Sequence, residues 1–136
     1  MSPGDIAKAG SESAHQKALF AQCALKRYEN PQKYNVLRWL YAIPNGGARD
    51  KLTASRMKAE GARAGVADLC LPAGRKGFYG LYIEMKKPGE INKTSAEQKE
   101  FIQHCLDENY AVAVCDHWEK AWQLIEDYLS EMDTPS

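Results

Sequence analysis

Residues 66–86 read Val66-Ala67-Asp68-Leu69-Cys70-Leu71, then Pro72-Ala73-Gly74-Arg75-Lys76-Gly77, then Phe78-Tyr79-Gly80-Leu81-Tyr82-Ile83-Glu84-Met85-Lys86. Two apolar runs joined by a segment rich in Pro and Gly predict an antiparallel hairpin. Side chains alternate along a strand, so Leu81, Ile83 and Met85 take the core face while Tyr82, Glu84 and Lys86 project from the other. Asp68 interrupts the first run. A carboxylate among apolar strand residues is costly unless it binds something, and the hairpin carries it across to Glu84 and Lys86.

Upstream, residues 11–28 carry Gln16, Leu19, Phe20 and Cys23 at helical spacing, and Asn30-Pro31 ends the pattern. Residues 36–43 are β-branched, aromatic and apolar and stop at Pro44-Asn45-Gly46-Gly47, which predicts a strand and a turn. Residues 53–60 predict a short helix closed by Gly61. Downstream, Thr94-Ser95-Ala96-Glu97 has capping-box spacing and opens a helix to about residue 108. The nearly continuous apolar run 110–115 is expected of a strand buried on both faces, and residues 118–129 form an amphipathic helix. The order α, β, α, β, β, α, β, α predicts an α/β fold with a mixed sheet flanked by helices. Residues 11–130 read as one domain, with 1–10 and 131–136 as tails.

A chain of 136 residues buries enough surface for one compact domain. Apolar residues at 44% and charged residues at 26% are ordinary for a globular protein. No apolar run nears the roughly 20 residues that span a membrane, and residues 1–10 lack the pattern of a secretory signal. Cys23, Cys70, Cys105 and Cys115 are scattered within apolar patterns and His15, His104 and His117 are dispersed, so reduced core thiols are expected and zinc is not. These features predict a cytoplasmic protein, and its size suits a bacterial or phage-encoded one. Formal net charge is zero, yet residues 1–96 hold 16 Lys and Arg against 8 acids, and residues 97–136 hold 2 against 10. A basic face and an acidic face are implied, compatible with phosphate binding and also with two solvated surfaces.

Asp68, Glu84 and Lys86 form the set that can do chemistry. A hard cation such as Mg²⁺ takes oxygen ligands, commonly one or two carboxylates with water and substrate phosphate completing its shell. Asp68 and Glu84 would supply the pair, and Lys86 would orient a water or stabilise developing charge, which is the equipment of phosphodiester hydrolysis. Glu84 and Lys86 alone would read as readily as a surface ion pair. Gln98 shares a helical stripe with Phe101, Ile102 and Cys105, so it faces the sheet beside the set.

Gly65-Val66-Ala67-Asp68-Leu69, Glu84-Met85-Lys86 and Ser95-Ala96-Glu97-Gln98, in that order, resemble the VRR-NUC branch of the PD-(D/E)XK nuclease superfamily. The resemblance extends to Glu12 and Gln16 and to Pro44-Asn45-Gly46-Gly47, covering about residues 11–129. Ala67 stands where the superfamily name implies proline, a position that supplies no ligand atom. The resemblance implies a restriction-endonuclease-like fold with a four-stranded mixed sheet. It also implies Mg²⁺, or Mn²⁺ as a substitute, on Asp68, Glu84 and the carbonyl of Met85. Lys86 is assigned to the attacking water, Glu12 to the acid of the first helix, and Gln98 to the glutamine after the catalytic lysine.

Asn45, Lys51, Arg56, Lys58, Arg63, Lys87 and Lys93 flank this set in sequence and are candidates for gripping DNA phosphates, although a solvated basic face explains the charged ones nearly as well. Tyr34, Trp39 and Tyr41 fit the core better than a base-stacking role. With no room for a sequence-reading module, the leading expectation is a structure-specific DNA endonuclease. Stand-alone members of the family resemble Holliday-junction resolvases acting as homodimers on branched DNA. The alternatives are a nuclease for flaps or duplex, a restriction-type enzyme, or a non-catalytic DNA-binding or assembly module. A metal-independent enzyme lacks a nucleophile with a neighbouring base.

Overall fold

The computed structural model describes residues 2–8, 10–44 and 50–130. Its order is α1 (Pro3–Ala7), α2 (Glu12–Glu29), α3 (Pro31–Tyr34), a 3-10 turn (Asn35–Trp39), β1 (Tyr41–Ala42), α4 (Lys51–Ala59), β2 (Leu69–Leu71), β3 (Leu81–Met85), α5 (Ala96–Asp107), β4 (Ala111–Cys115) and α6 (Trp118–Leu129). The four strands form one sheet in the order β1-β2-β3-β4. β1 with β2 and β2 with β3 are antiparallel, while β3 and β4 are parallel, joined by the crossover that carries α5. The mixed sheet flanked by helices is the architecture the hairpin and its neighbours predict.

The hairpin register pairs Leu69 with Ile83, Cys70 with Tyr82 and Leu71 with Leu81. Leu69, Leu71, Leu81, Ile83 and Met85 are fully enclosed with Leu19 of α2 and Ile125 of α6. Each such side chain contributes about 1.5–3 kcal/mol when taken from water. The opposite face meets α5, where the rings of Tyr82 and Phe101 lie edge to face at 5.2 Å. All four cysteines are reduced and buried, as expected. No helix among the described residues is long and apolar enough to cross a membrane.

Five local expectations are revised. Residues 36–43 are not a strand: Asn30 caps α3 through its side chain, Pro31 sits at the first helical position, and Tyr34, Leu37 and Leu40 bury at every third residue, the period of a 3-10 helix. Only Tyr41 and Ala42 pair as a strand, and the turn residues 45–47 lie outside the described residues. Residues 3–7, read as tail, form a helix because Ser2 and Asp5 close a capping box and Pro3 favours the first turn. Residues 131–136, also read as tail, lie outside the described residues.

The capping box of α5 sits one residue later than Thr94 and Glu97, on Ser95 and Gln98. β4 is an edge strand with four half-buried residues, since an apolar run does not say how many neighbours cover it. Tyr34 joins the core, donating from its hydroxyl to Glu126 Oε1 at 2.6 Å. Trp39 at 58% and Tyr41 at 50% exposure do not, and the Arg38 guanidinium lies 4.9 Å from the Trp39 ring.

Candidate active site

β2 and β3 run antiparallel, so the start of β2 and the end of β3 meet at one end of the sheet. Asp68 immediately precedes β2, and its Oδ2 accepts the Met85 backbone N–H at 2.8 Å. Its own carbonyl accepts the Ile43 N–H at 2.7 Å, which ties the exit of β1 to the same place. Glu84 points from β3 toward α5 and is only 5% exposed. Its carboxyl lies within hydrogen-bonding reach of Asp68, and its Oε1 accepts from Gln98 Nε2 at 3.2 Å. Burial and then the charge of Asp68 push the Glu84 carboxyl up to about 8.

Lys86, 9% exposed, continues β3 by donating its N–H to the Cys115 carbonyl at 2.7 Å. Its Nζ donates to Gln98 Oε1 and to the Lys93 carbonyl, both at 2.7 Å. Gln98 therefore touches both partners: the amide nitrogen holds the acid and the amide oxygen holds the ammonium. Its orientation is set locally. Ser95 Oγ accepts the Gln98 N–H at 3.1 Å, and the Ser95 N–H donates to Gln98 Oε1 at 3.0 Å. The cap of α5 and the clamp on Lys86 share one oxygen. Gly65 brings this helix start close, for it has φ +86° and a Cβ there would lie 2.4 Å from the Glu97 backbone.

Asp68, Glu84, Lys86 and Gln98 line one cavity of 650 Å³, with Glu12 from the first turn of α2. The Glu12 carboxyl is raised above the usual range, by burial first and by the Asp68 charge second. The lining also includes the apolar Ala54 and Met57 of α4, with Ala62 and Val66, and the charged Lys58 and Arg63. No residue of α4 is buried. Lys51 and Arg56 lie exposed on α4, Arg56 3.9 Å from Glu60. Lys87 is exposed after β3, and the Lys93 ammonium pairs with Glu90 at 2.9 Å. Asn45 lies outside the described residues.

The donor set fits a hard divalent cation. Two carboxyls in hydrogen-bonding reach, one of them buried, require a proton or a positive ion between them. The Met85 side chain is enclosed in the core, so that residue offers such an ion only its backbone. Among the described residues no three His, Cys, Asp or Glu side chains make a closed metal cage. Two carboxylates leave coordination positions for water and phosphate, the arrangement of Mg²⁺ in phosphoryl chemistry.

Sequence alone had brought Asp68, Glu84, Lys86, Gln98 and Glu12 into consideration, and all five line this cavity. It missed Ser95, for which a signal existed: Ser95 and Gln98 have capping-box spacing as good as that of Thr94 and Glu97. It also missed the Lys93 carbonyl, for which no sequence signal exists, and the apolar part of the lining.

A family model, the VRR-NUC domain, matches residues 10–118. None of the curated proteins matches the chain in sequence. A solved structure, "VRR_NUC domain protein", is 24% identical, with 88% of this chain and 90% of that chain covered and a TM-score of 0.67. Both chains share the restriction-endonuclease-like architecture described above.

Proposed function

The chain belongs to the VRR-NUC family, and from that premise we propose that it is a Mg²⁺-dependent endonuclease cutting branched DNA. The observation that carries this reading is the convergence of Asp68, Glu84, Lys86 and Gln98 on one cavity. Asp68, Glu84 and the Met85 carbonyl would hold Mg²⁺, or Mn²⁺ in its place, and the ion would supply charge neutralisation at the phosphate and a more acidic water.

The chain's own groups do the rest. Lys86, held by two oxygens, presents a fixed ammonium that orients the attacking water and offsets charge growing on the phosphate oxygens. Gln98 keeps Lys86 and Glu84 in fixed relation, so neither side chain must be ordered when the substrate arrives. Glu12 faces the same space and offers a second-line acceptor. Lys51, Arg56, Lys58, Arg63 and Lys87 grip phosphates on either side of the cut, and Asn45 remains a candidate contact. The Lys93 ammonium, paired with Glu90, is a weaker candidate than its carbonyl is a support for Lys86.

A four-way junction has two symmetric cut sites, so the functional unit we assign is a homodimer acting as a Holliday-junction resolvase. The test is incubation of the protein with labelled four-way junction, flap, single-stranded and duplex DNA, with Mg²⁺, Mn²⁺ or EDTA, beside Lys86→Ala. Cutting of the junction that requires metal and Lys86 supports the full reading. Metal-dependent cutting of another DNA discards only the junction preference, and binding without cutting points to a non-catalytic module.

A further inference from the structure

We infer that the cavity beside the carboxylates takes an unpaired nucleotide adjoining the scissile phosphate, its base lying on the Met57 wall. This deepens the nuclease reading and rests on it. A catalytic site that handled only the backbone of a duplex would need charge and hydrogen-bond donors around the metal position, because phosphate and sugar are what a duplex turns outward. This cavity is of mixed character. Its lining joins Asp68, Glu84, Lys86 and Gln98 to the apolar Ala54, Met57, Ala62 and Val66, and Lys58 and Arg63 share it.

The apolar part of this lining is not core. α4 has no buried residue, and Met57 is half-buried at the cavity surface. The volume of 650 Å³ falls within the roughly 300–1,000 Å³ of sites that enclose a small organic group. A second cavity of 440 Å³ shares Met57, Ala62, Arg63 and Val66 with the first and is completed by Ile43, Pro44, Glu60 and Gly61, which leaves room for a neighbouring base. Lys58 and Arg63 in the same lining supply positive charge for the phosphates on either side of such a nucleotide.

A base within a duplex presents only its edges in the grooves, and its flat face is covered by its neighbours. The face becomes available to Met57 only when the base has left the stack, and that is least costly where it is already unpaired. A thioether against an aromatic face is a favourable contact. The chemistry thus selects a branch point, gap or loop over continuous duplex.

The experiment uses the intact protein and two DNAs of one sequence, a branched one with 2-aminopurine unpaired next to the cut and a fully paired one. Ca²⁺ replaces Mg²⁺ during binding, so that a divalent ion is present. Anisotropy reports binding and 2-aminopurine fluorescence reports the base's surroundings, both independent of cutting. The expected result is a fluorescence change on saturation with the branched DNA. Met57→Ala should lose it along with about 2- to 10-fold in affinity, Met57→Leu should retain it, and duplex affinity should not move. Metal-dependent cutting with no preference for the unpaired substrate, and no effect of Met57→Ala on affinity or fluorescence, overturns this inference and leaves the nuclease reading intact. No cutting of any DNA with Mg²⁺ or Mn²⁺ overturns both.

Discussion

Lys86 Nζ and Gln98 Oε1 lie 2.7 Å apart, and the same oxygen accepts the Ser95 N–H that begins α5. The helix cap and the Lys86 ammonium are therefore one hydrogen-bonded unit. Gln98→Ala should lower the single-turnover cutting rate by about tenfold or more, since it releases both Lys86 and Glu84. Ser95→Ala should cost about 1 kcal/mol of stability in urea denaturation and a smaller part of the rate, and Ser95→Thr should recover both. A Gln98→Ala enzyme cutting at the full rate would show that Lys86 is positioned by the Lys93 carbonyl alone.

Metal should stabilise the folded protein through the two acids. At a Mg²⁺ or Mn²⁺ concentration near 100 times its dissociation constant, linkage gives about 2.7 kcal/mol, visible as a rise in melting temperature. Asp68→Asn and Glu84→Gln should each lose most of that rise. Without metal, Glu84→Gln should melt no lower than the unsubstituted protein at neutral pH, because burial beside Asp68 already favours the uncharged carboxyl that the amide imitates. Equal metal-induced shifts in all three proteins would place the ion elsewhere.

Gly65→Ala tests how tightly α5 is seated on the loop before Asp68. The residue is in the left-handed region and its new Cβ would overlap the Glu97 backbone, so helix or loop must move. A loss of about 2 kcal/mol or more is expected in urea denaturation, from backbone strain and displaced packing together. The displacement acts one residue before Gln98, so cutting should fall even at temperatures where the variant is fully folded. A variant as stable and active as the parent would refute the close approach.

His15 gives the fold a defined sensitivity to acid. It is buried on α2, and its Nδ1 accepts the Trp118 N–H at 3.1 Å, occupying a free amide at the start of α6. Burial, followed by the neighbouring His117, holds its pKa below the ordinary value of 6.5, while Asp116 and Glu119 oppose the shift. The unfolded chain then takes up a proton before the folded one does. The stabilisation is complete above about pH 6.5 and is lost as pH falls through the lower folded value. Glu84, with its raised value, contributes an opposite slope over the same range. The contribution of His15 is therefore read as the difference between the melting temperatures of the parent and of His15→Asn from pH 5 to 8, which should widen in favour of the parent as pH rises through this window.

The hairpin was legible because its information is local. Alternation fixes which face each side chain takes, and a turn rich in Pro and Gly fixes the direction of return, so the sequence itself brings Asp68, Glu84 and Lys86 together. Residues 36–43 were not legible, because the β-branched and aromatic composition that suggests a strand also suits a tight helix burying Leu37 and Leu40 three apart. Trp39 and Tyr41 show the same limit: aromaticity does not reveal which surface lacks a covering element. The half-covered state of β4 was not legible either, because an apolar run records its composition and not its place at the sheet edge. In the site, Gln98 followed from helical periodicity, whereas the Lys93 carbonyl and the Met57 wall arise from how separate segments come to rest.

Because Asp68 Oδ2 takes the Met85 amide while its carboxyl faces Glu84, the acid proposed to hold the metal also locks the two hairpin strands against sliding. A slip of one residue would turn Glu84 inward and carry Met85 away from Asp68 in the same movement. Misaligned chains would therefore be inert instead of cutting in the wrong geometry. The exchange rate of one amide proton, that of Met85, reports whether the strands are in step.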